Sequence, residues 1–199
     1  MPITVGTEGV WTLSEIARLV GQSQHRLIHL CEKGVVRADF EEARGRGSSR
    51  RFSRRNLLQF AVALKLRELM VPVAPIGAVV HVLDAFERVL AREMSGFRLP
   101  DSLAEPGAPE LRVIITDERI LFFALHPKKG APKLFGGIDL ETLDLEGATV
   151  TGRISSRLKA VRPGKGVPEV LFGPKSGSER GRIEISVTRL AKDIPKTPA

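Results

Sequence analysis

Residues 44–57 read RGRGSSRRFSRRNL. Six arginines stand there, Arg44, Arg46, Arg50, Arg51, Arg54 and Arg55, with no acidic residue and one aromatic, Phe52. A guanidinium group is permanently charged, and its fork of N–H donors matches the oxygens of a phosphate. Such a run suits a polyanion, because each neutralised phosphate of a nucleic acid releases condensed counterions. Gly45 and Gly47 open a Gly/Ser tip that bends easily and approaches a ligand closely. The ring of Phe52 is expected to anchor the segment on an apolar body and hold the charges outward. The plainer reading is a solvated basic loop, as charge runs usually are.

Other residues with chemistry are fewer. His25 and His29 are four apart on one helix face, with only Glu32 nearby as a third ligand, so polar contacts are expected there rather than a metal. Cys31, the single cysteine, allows no intrachain disulfide and reads as a half-buried structural residue. The stretch RPGKGVP, residues 162–168, lacks the spacing and the following helix of a phosphate loop, and reads as a basic turn. Arg153, Arg157, Lys159, Arg162 and Lys165 have no acidic residue among them and form a solvated face or a second nucleic-acid contact. No Ser/His/Asp set, carboxylate pair or Gly-rich cofactor loop emerges, so the expectation is a protein that is not an enzyme and uses neither cofactor nor metal.

The 199 residues carry a formal net charge of +8, with a pI near 10.1. The excess is spread over both halves, about four charges each. The opening MPITVGTEGVW has neither a basic nor an apolar leader region, and no apolar run reaches the length of a membrane span. The expected setting is cytoplasmic and nucleoid-associated, without a membrane.

These side chains need elements to hold them. In WTLSEIARLVG, Thr12 and Glu15 form a capping box, and Gly21 ends the helix. A second helix follows Ser23, with Leu27, Leu30 and Cys31 inward and Gly34 at its end. Extended pieces at residues 35–37 and 50–52 flank the Gly/Ser tip as a hairpin. Asn56 or Ser53 caps a third helix, and Pro75 suits the first turn of a fourth that runs to about Met94. The fourth helix has an apolar face of Ile76, Val79, Val80, Leu83, Phe86 and Leu90, with Val82 and Val89 lying off it. Residues 95–110, rich in proline and glycine, read as a linker. Beyond it the pattern is β: two strands around Asp117-Glu118, then short strand candidates PKLFGGIDL, ATVTGRIS, EVLFG and RGRIEISVTRL.

Residues 10–83 resemble the MerR-type winged-helix DNA-binding domain. The residues in register are Trp11-Thr12-Leu13, Glu15, Ala17, Gly21, Ser23, Leu27, Gly34 and Val35-Val36. RRFSRRNL matches the family's wing closure, and LKLRELMVPVAPIGAVVHVL its third and fourth helices. The resemblance implies that the second helix enters the major groove of double-stranded DNA. Its contacts would come from Thr12, Gln24, His25, Arg26, Ile28 and His29, while Arg44, Arg46, Arg50, Arg51, Arg54 and Arg55 clamp the backbone. Arg26 would pair with guanine or a phosphate, and Gln24 with adenine. The sequence departs from the family at Ile28-His29-Leu30, where R-Y-Y is usual, and in lacking the long dimerisation helix.

The expected fold is therefore α+β. Residues 1–94 form a MerR-like winged helix-turn-helix of four helices plus a wing hairpin, residues 95–110 a linker, residues 111–192 a small β-rich domain and residues 193–199 a frayed tail. The expected function is sequence-specific transcriptional regulation. The β domain would supply homodimerisation, effector sensing or a protein partner. The rivals are an architectural, excisionase-like DNA binder and a protein-interaction adaptor built on the same domain.

Overall fold

The computed structural model describes residues 9–41, 50–143, 158, 160–161 and 181–197. The chain begins with two short helices, α1 (Leu13–Leu19) and α2 (Gln24–Glu32). The Thr12–Glu15 capping box starts α1, and Gly21, at φ +61°, lets the chain reverse into α2. Leu27 and Leu30 bury the inner side of α2. Strands β1 (Phe40–Glu41) and β2 (Arg50–Arg51) pair antiparallel, Phe40 opposite Arg51. The first strand thus lies later than residues 35–37, because Val35 and Val36 are drawn into the core instead.

Helix α3 (Arg54–Glu68) starts at a second capping box, in which the Ser53 hydroxyl accepts from the Asn56 backbone N–H. Helix α4 (Val73–Glu93) follows Pro72 and carries Pro75 in its first turn, as expected. Its expected apolar face is buried, and so are Ala78, Val82 and Ala85, while Val89 packs partly against the core. Val82 and Val89, off the main apolar face, thus also meet the common core rather than standing as surface valines.

What covers the rest of α4 is the second half of the chain. A short helix α5 (Asp101–Ala104) leads into β3 (Glu110–Thr116), β4 (Ile120–His126), β5 (Lys133–Asp139), β6 (Ala160–Val161) and β7 (Ile183–Ser186). The sheet is antiparallel in the order β6-β5-β4-β3-β7. The β3–β4 turn forms at Asp117-Glu118, whose φ values of +49° and +61° give the twist that matches a tight hairpin. Gly136 stands at a bulge between β4 and β5. At its φ of +119°, a Cβ would lie 2.6 Å from the Leu121 carbonyl oxygen, so only glycine fits.

One face of the sheet, including Leu111, Val113, Leu121, Phe123 and Phe135, joins the same core as Trp11, Leu27 and Phe60. Phe86 of α4 stacks on Phe123 at 4.5 Å and meets Phe135 edge-on at 5.0 Å. The architecture is mixed helix and sheet, and the core runs across the expected boundary. Three corrections follow. Residues 95–110 are not a tether: Phe97, Leu99 and Leu103 are buried, and the Leu99 N–H donates to Glu87 at 2.9 Å. The segment after Ser186 is not strand but helix α6 (Val187–Asp193), capped by the Ser186 hydroxyl. Residues 194–195 do not fray, because Arg54 holds the carbonyls of Ile194 and Pro195. The strand candidates at 148–155 and 169–173, and the basic turn at 162–168, lie outside the described residues. Among the described residues, no helix is long and apolar enough to cross a membrane.

Candidate nucleic-acid interface

The outer side of α2 is a polar ridge. Gln24, His25, Arg26, Ile28 and His29 are all exposed on it. Helical spacing sorts them into two stripes. Ile28 and Cys31 line a cavity of about 550 Å³ with Thr12, Ser14, Arg50 and Phe52, on the side of the β1–β2 hairpin. His25, Arg26 and His29 line a second cavity of about 550 Å³ with Gln22, Arg67, Glu68 and Met70, at the corner between α3 and α4. The ridge therefore stands between two grooves, each with at least one arginine in its wall.

Two side chains on the ridge are already oriented. The Gln24 amide Nε2 donates to the Ser14 hydroxyl at 2.8 Å. Arg26 Nη1 donates to Gln22 Oε1 at 2.7 Å, one helical turn back. Met70 at the corner is 85% exposed with φ +64°, a left-handed backbone that a side chain of this size rarely adopts. The Met70 N–H donates to the Arg67 carbonyl at 3.0 Å, so the residue closes α3 in the place glycine usually takes.

The hairpin is seated as its aromatic foretells. Phe52 is fully buried, exchanges two 2.9 Å backbone hydrogen bonds with Trp11, and meets Phe60 edge-on at 5.5 Å. Beneath it Asn56, also fully buried, satisfies four partners. Its Oδ1 accepts from the backbone N–H groups of Asp39 (3.1 Å) and Ser53 (3.2 Å), and its Nδ2 donates to the Arg37 carbonyl (2.9 Å) and to Gln59 (2.8 Å). The Ser53 hydroxyl donates to Asp39. Arg50 is exposed and Arg51 half-buried on β2. Arg44 and Arg46 lie outside the described residues.

Arg54 and Arg55 are elsewhere. They begin α3 and turn inward rather than toward the hairpin surface. Arg54 is buried, pairs with Asp101 and donates to the carbonyls of Ile194 and Pro195. Arg55 pairs with Glu87 and lies 3.5 Å from Asp84, which Gln59 also holds through two hydrogen bonds of 3.1 and 2.9 Å. Burial pushes the Asp84 carboxyl above its usual range, against the opposing pull of Arg55. Arg54 is thus committed to the fold and does not face a DNA backbone as expected, whereas Arg55, paired with Glu87, keeps its side chain 38% exposed. Thr12 lines the hairpin-side groove, but its hydroxyl is spent in the capping box: it accepts from the Glu15 N–H at 3.3 Å and donates to Glu15 Oε2 at 2.8 Å. Burial raises the Cys31 thiol, in spite of nearby Arg50, which suits a structural residue better than a reactive one.

Sequence reading missed Ser14, Gln22, Arg67 and Met70. Gln22 and Arg26 are an i,i+4 pair and so were legible; Ser14 meets Gln24 only through the packing of α1 on α2. Among the described residues no group of three His, Cys, Asp or Glu converges on a common point. No protein-family model matches the chain, and no curated protein matches it.

Proposed function

We propose that this protein binds double-stranded DNA through a winged helix-turn-helix of MerR type, and acts as a transcriptional regulator. In this reading α2 enters the major groove and the β1–β2 hairpin follows the backbone. The observation that carries it is the exposed polar ridge of α2, flanked by two arginine-walled grooves. A duplex presents two phosphate strands on either side of its major groove, and the ridge offers one groove to each. The net charge of +8 supports a polyanionic partner. Arg50 and Arg51 on the hairpin, with Arg26 and Arg67 on the far side, are the described arginines placed to meet the two phosphate strands.

One observation favours an architectural binder over a dimeric regulator. Among the described residues the large apolar side chains of α4 are buried in the chain's own core or packed against it, which leaves little of that helix for a second copy to pair with. A single copy would then engage one half-site.

The test is titration of a fluorescent duplex with the full chain over a range of salt. The logarithm of affinity should fall linearly with the logarithm of salt, and Arg50→Ala should reduce the slope by about one. Binding that ignores salt, or a slope unchanged in Arg50→Ala, would overturn the reading.

A further inference from the structure

We infer that the hairpin-facing stripe of α2 reads A·T base pairs, with Gln24 contacting adenine, Ile28 contacting the thymine methyl group, and Ser14 serving as the positioning residue for Gln24. The inference rests on the DNA-binding reading above and names what that surface selects.

The argument begins with hydrogen-bond capacity. A glutamine amide has two N–H donors and one carbonyl with two lone pairs. In Gln24 one donor is spent on the Ser14 hydroxyl, at 2.8 Å. What remains is one N–H and the carbonyl, a donor and an acceptor on one planar amide. Adenine presents the complement in the major groove, the N7 acceptor beside the N6 amino donor. Guanine presents two acceptors there and leaves the Gln24 carbonyl unmatched. Cytosine offers a donor alone and leaves the N–H unmatched. An unmatched polar group in a closed interface costs more than a matched one returns, and that difference is the source of discrimination.

Ser14 supplies the second half of the argument. A long side chain loses rotamer freedom when a ligand fixes it. The contact from α1 fixes Gln24 in advance, so less of the base contact is spent on ordering. Ile28 lies one turn further along the same stripe and is 37% exposed, the largest apolar group on the outer arc of α2. It shares the groove with Thr12, Leu13, Ser14, Cys31, Arg50 and Phe52, and its own side chain stands exposed at the rim, open to a ligand. A methyl contact with thymine is the apolar readout that the major groove offers.

Selection from randomised duplexes by the full chain, followed by affinities for the selected site and its single-base variants, tests this. The natural chain should select a fixed A·T pair, and replacing that pair by G·C should weaken binding by roughly 5- to 150-fold. In Gln24→Glu the side chain accepts only, so preference at that pair should move from adenine to cytosine. Ser14→Ala should lower the adenine preference several-fold. A selected motif whose base preferences are the same in Gln24→Glu would overturn the inference and leave DNA binding standing. An adenine preference undiminished in Ser14→Ala would remove the positioning role. A natural chain that binds no duplex in a salt-dependent way would overturn both this inference and the reading beneath it.

Discussion

Phe123→Ala is the sharpest test of how the molecule is held together. Phe123 lies on β4, is fully buried, and stacks at 4.5 Å on Phe86 of α4. Removing a buried phenyl ring forfeits its transfer energy and leaves a cavity, about 3–5 kcal/mol in total. The lost stack adds to the upper part of that range. The chain has one tryptophan, Trp11, which is fully buried beside Phe52 in the helical half. Its fluorescence therefore reports on packing in a different part of the core from the substitution. If helices and sheet unfold together, the whole loss appears in the Trp11 signal. In urea, with a slope of about 2–3 kcal/mol per molar, the midpoint should fall by roughly 1–2 M. Circular dichroism of the same samples should show the same midpoint. A Trp11 transition that stays in place while the circular dichroism transition moves would refute the argument and restore two independent units.

Other perturbations separate fold from interface. Arg54→Ala should cost about 2 kcal/mol of stability, because it removes charge-assisted bonds to Asp101 and to two carbonyls; thermal unfolding measures it, and duplex affinity per folded molecule should not change. Native proteolysis should spare residues 97–104, where Phe97, Leu99 and Leu103 are buried; fragments ending inside that segment would contradict the packing. Glu15 is held below the usual carboxylate range, first by the Thr12 backbone N–H and then by the Thr12 hydroxyl. Its folded value is the lower one, so the contribution is complete above the unfolded value and is lost as pH falls through the folded one. Glu15→Gln should therefore flatten that part of the acid limb of a stability–pH curve, and an unchanged limb would refute it.

The parts that sequence made legible are those set by short-range chemistry. Thr12 with Glu15 forms the expected capping box, and of the two cap candidates for α3, Ser53 takes the cap with Asn56 completing it. The apolar runs on either side of Asp117-Glu118 give β3 and β4 with the expected turn. The parts that were misread depend on distant partners. Pro100, Pro106 and Pro109 punctuate 95–110 like a tether, but Phe97, Leu99 and Leu103 are buried one by one, without a period to betray them. IEISVTRL alternates like a strand, yet Ser186 caps a helix within it. In the arginine run, like charge conceals a change of role at Ser53. Before the cap Arg50 and Arg51 belong to a hairpin; after it Arg54 and Arg55 start a helix whose neighbours are Asp84, Glu87 and Asp101. Of the candidate interface residues, those on α2 came from the resemblance to a MerR-type domain, whereas Ser14 and Met70 needed the packed geometry.

The hold of Arg54 on Ile194 and Pro195 joins residues about 140 apart in sequence. Strand β7 beside β3 and helix α6 beneath α3 make the same long return. Such contacts close large loops, and closing them is the slow part of folding. On the ribosome, α3 and α4 leave the exit tunnel long before the segment that seals them. Until residues 183–195 arrive, the apolar surface that later packs against β7 and α6 stays in water. The nascent chain thus passes through an interval in which that surface is open to association, and the arrival of the final strand and helix ends it.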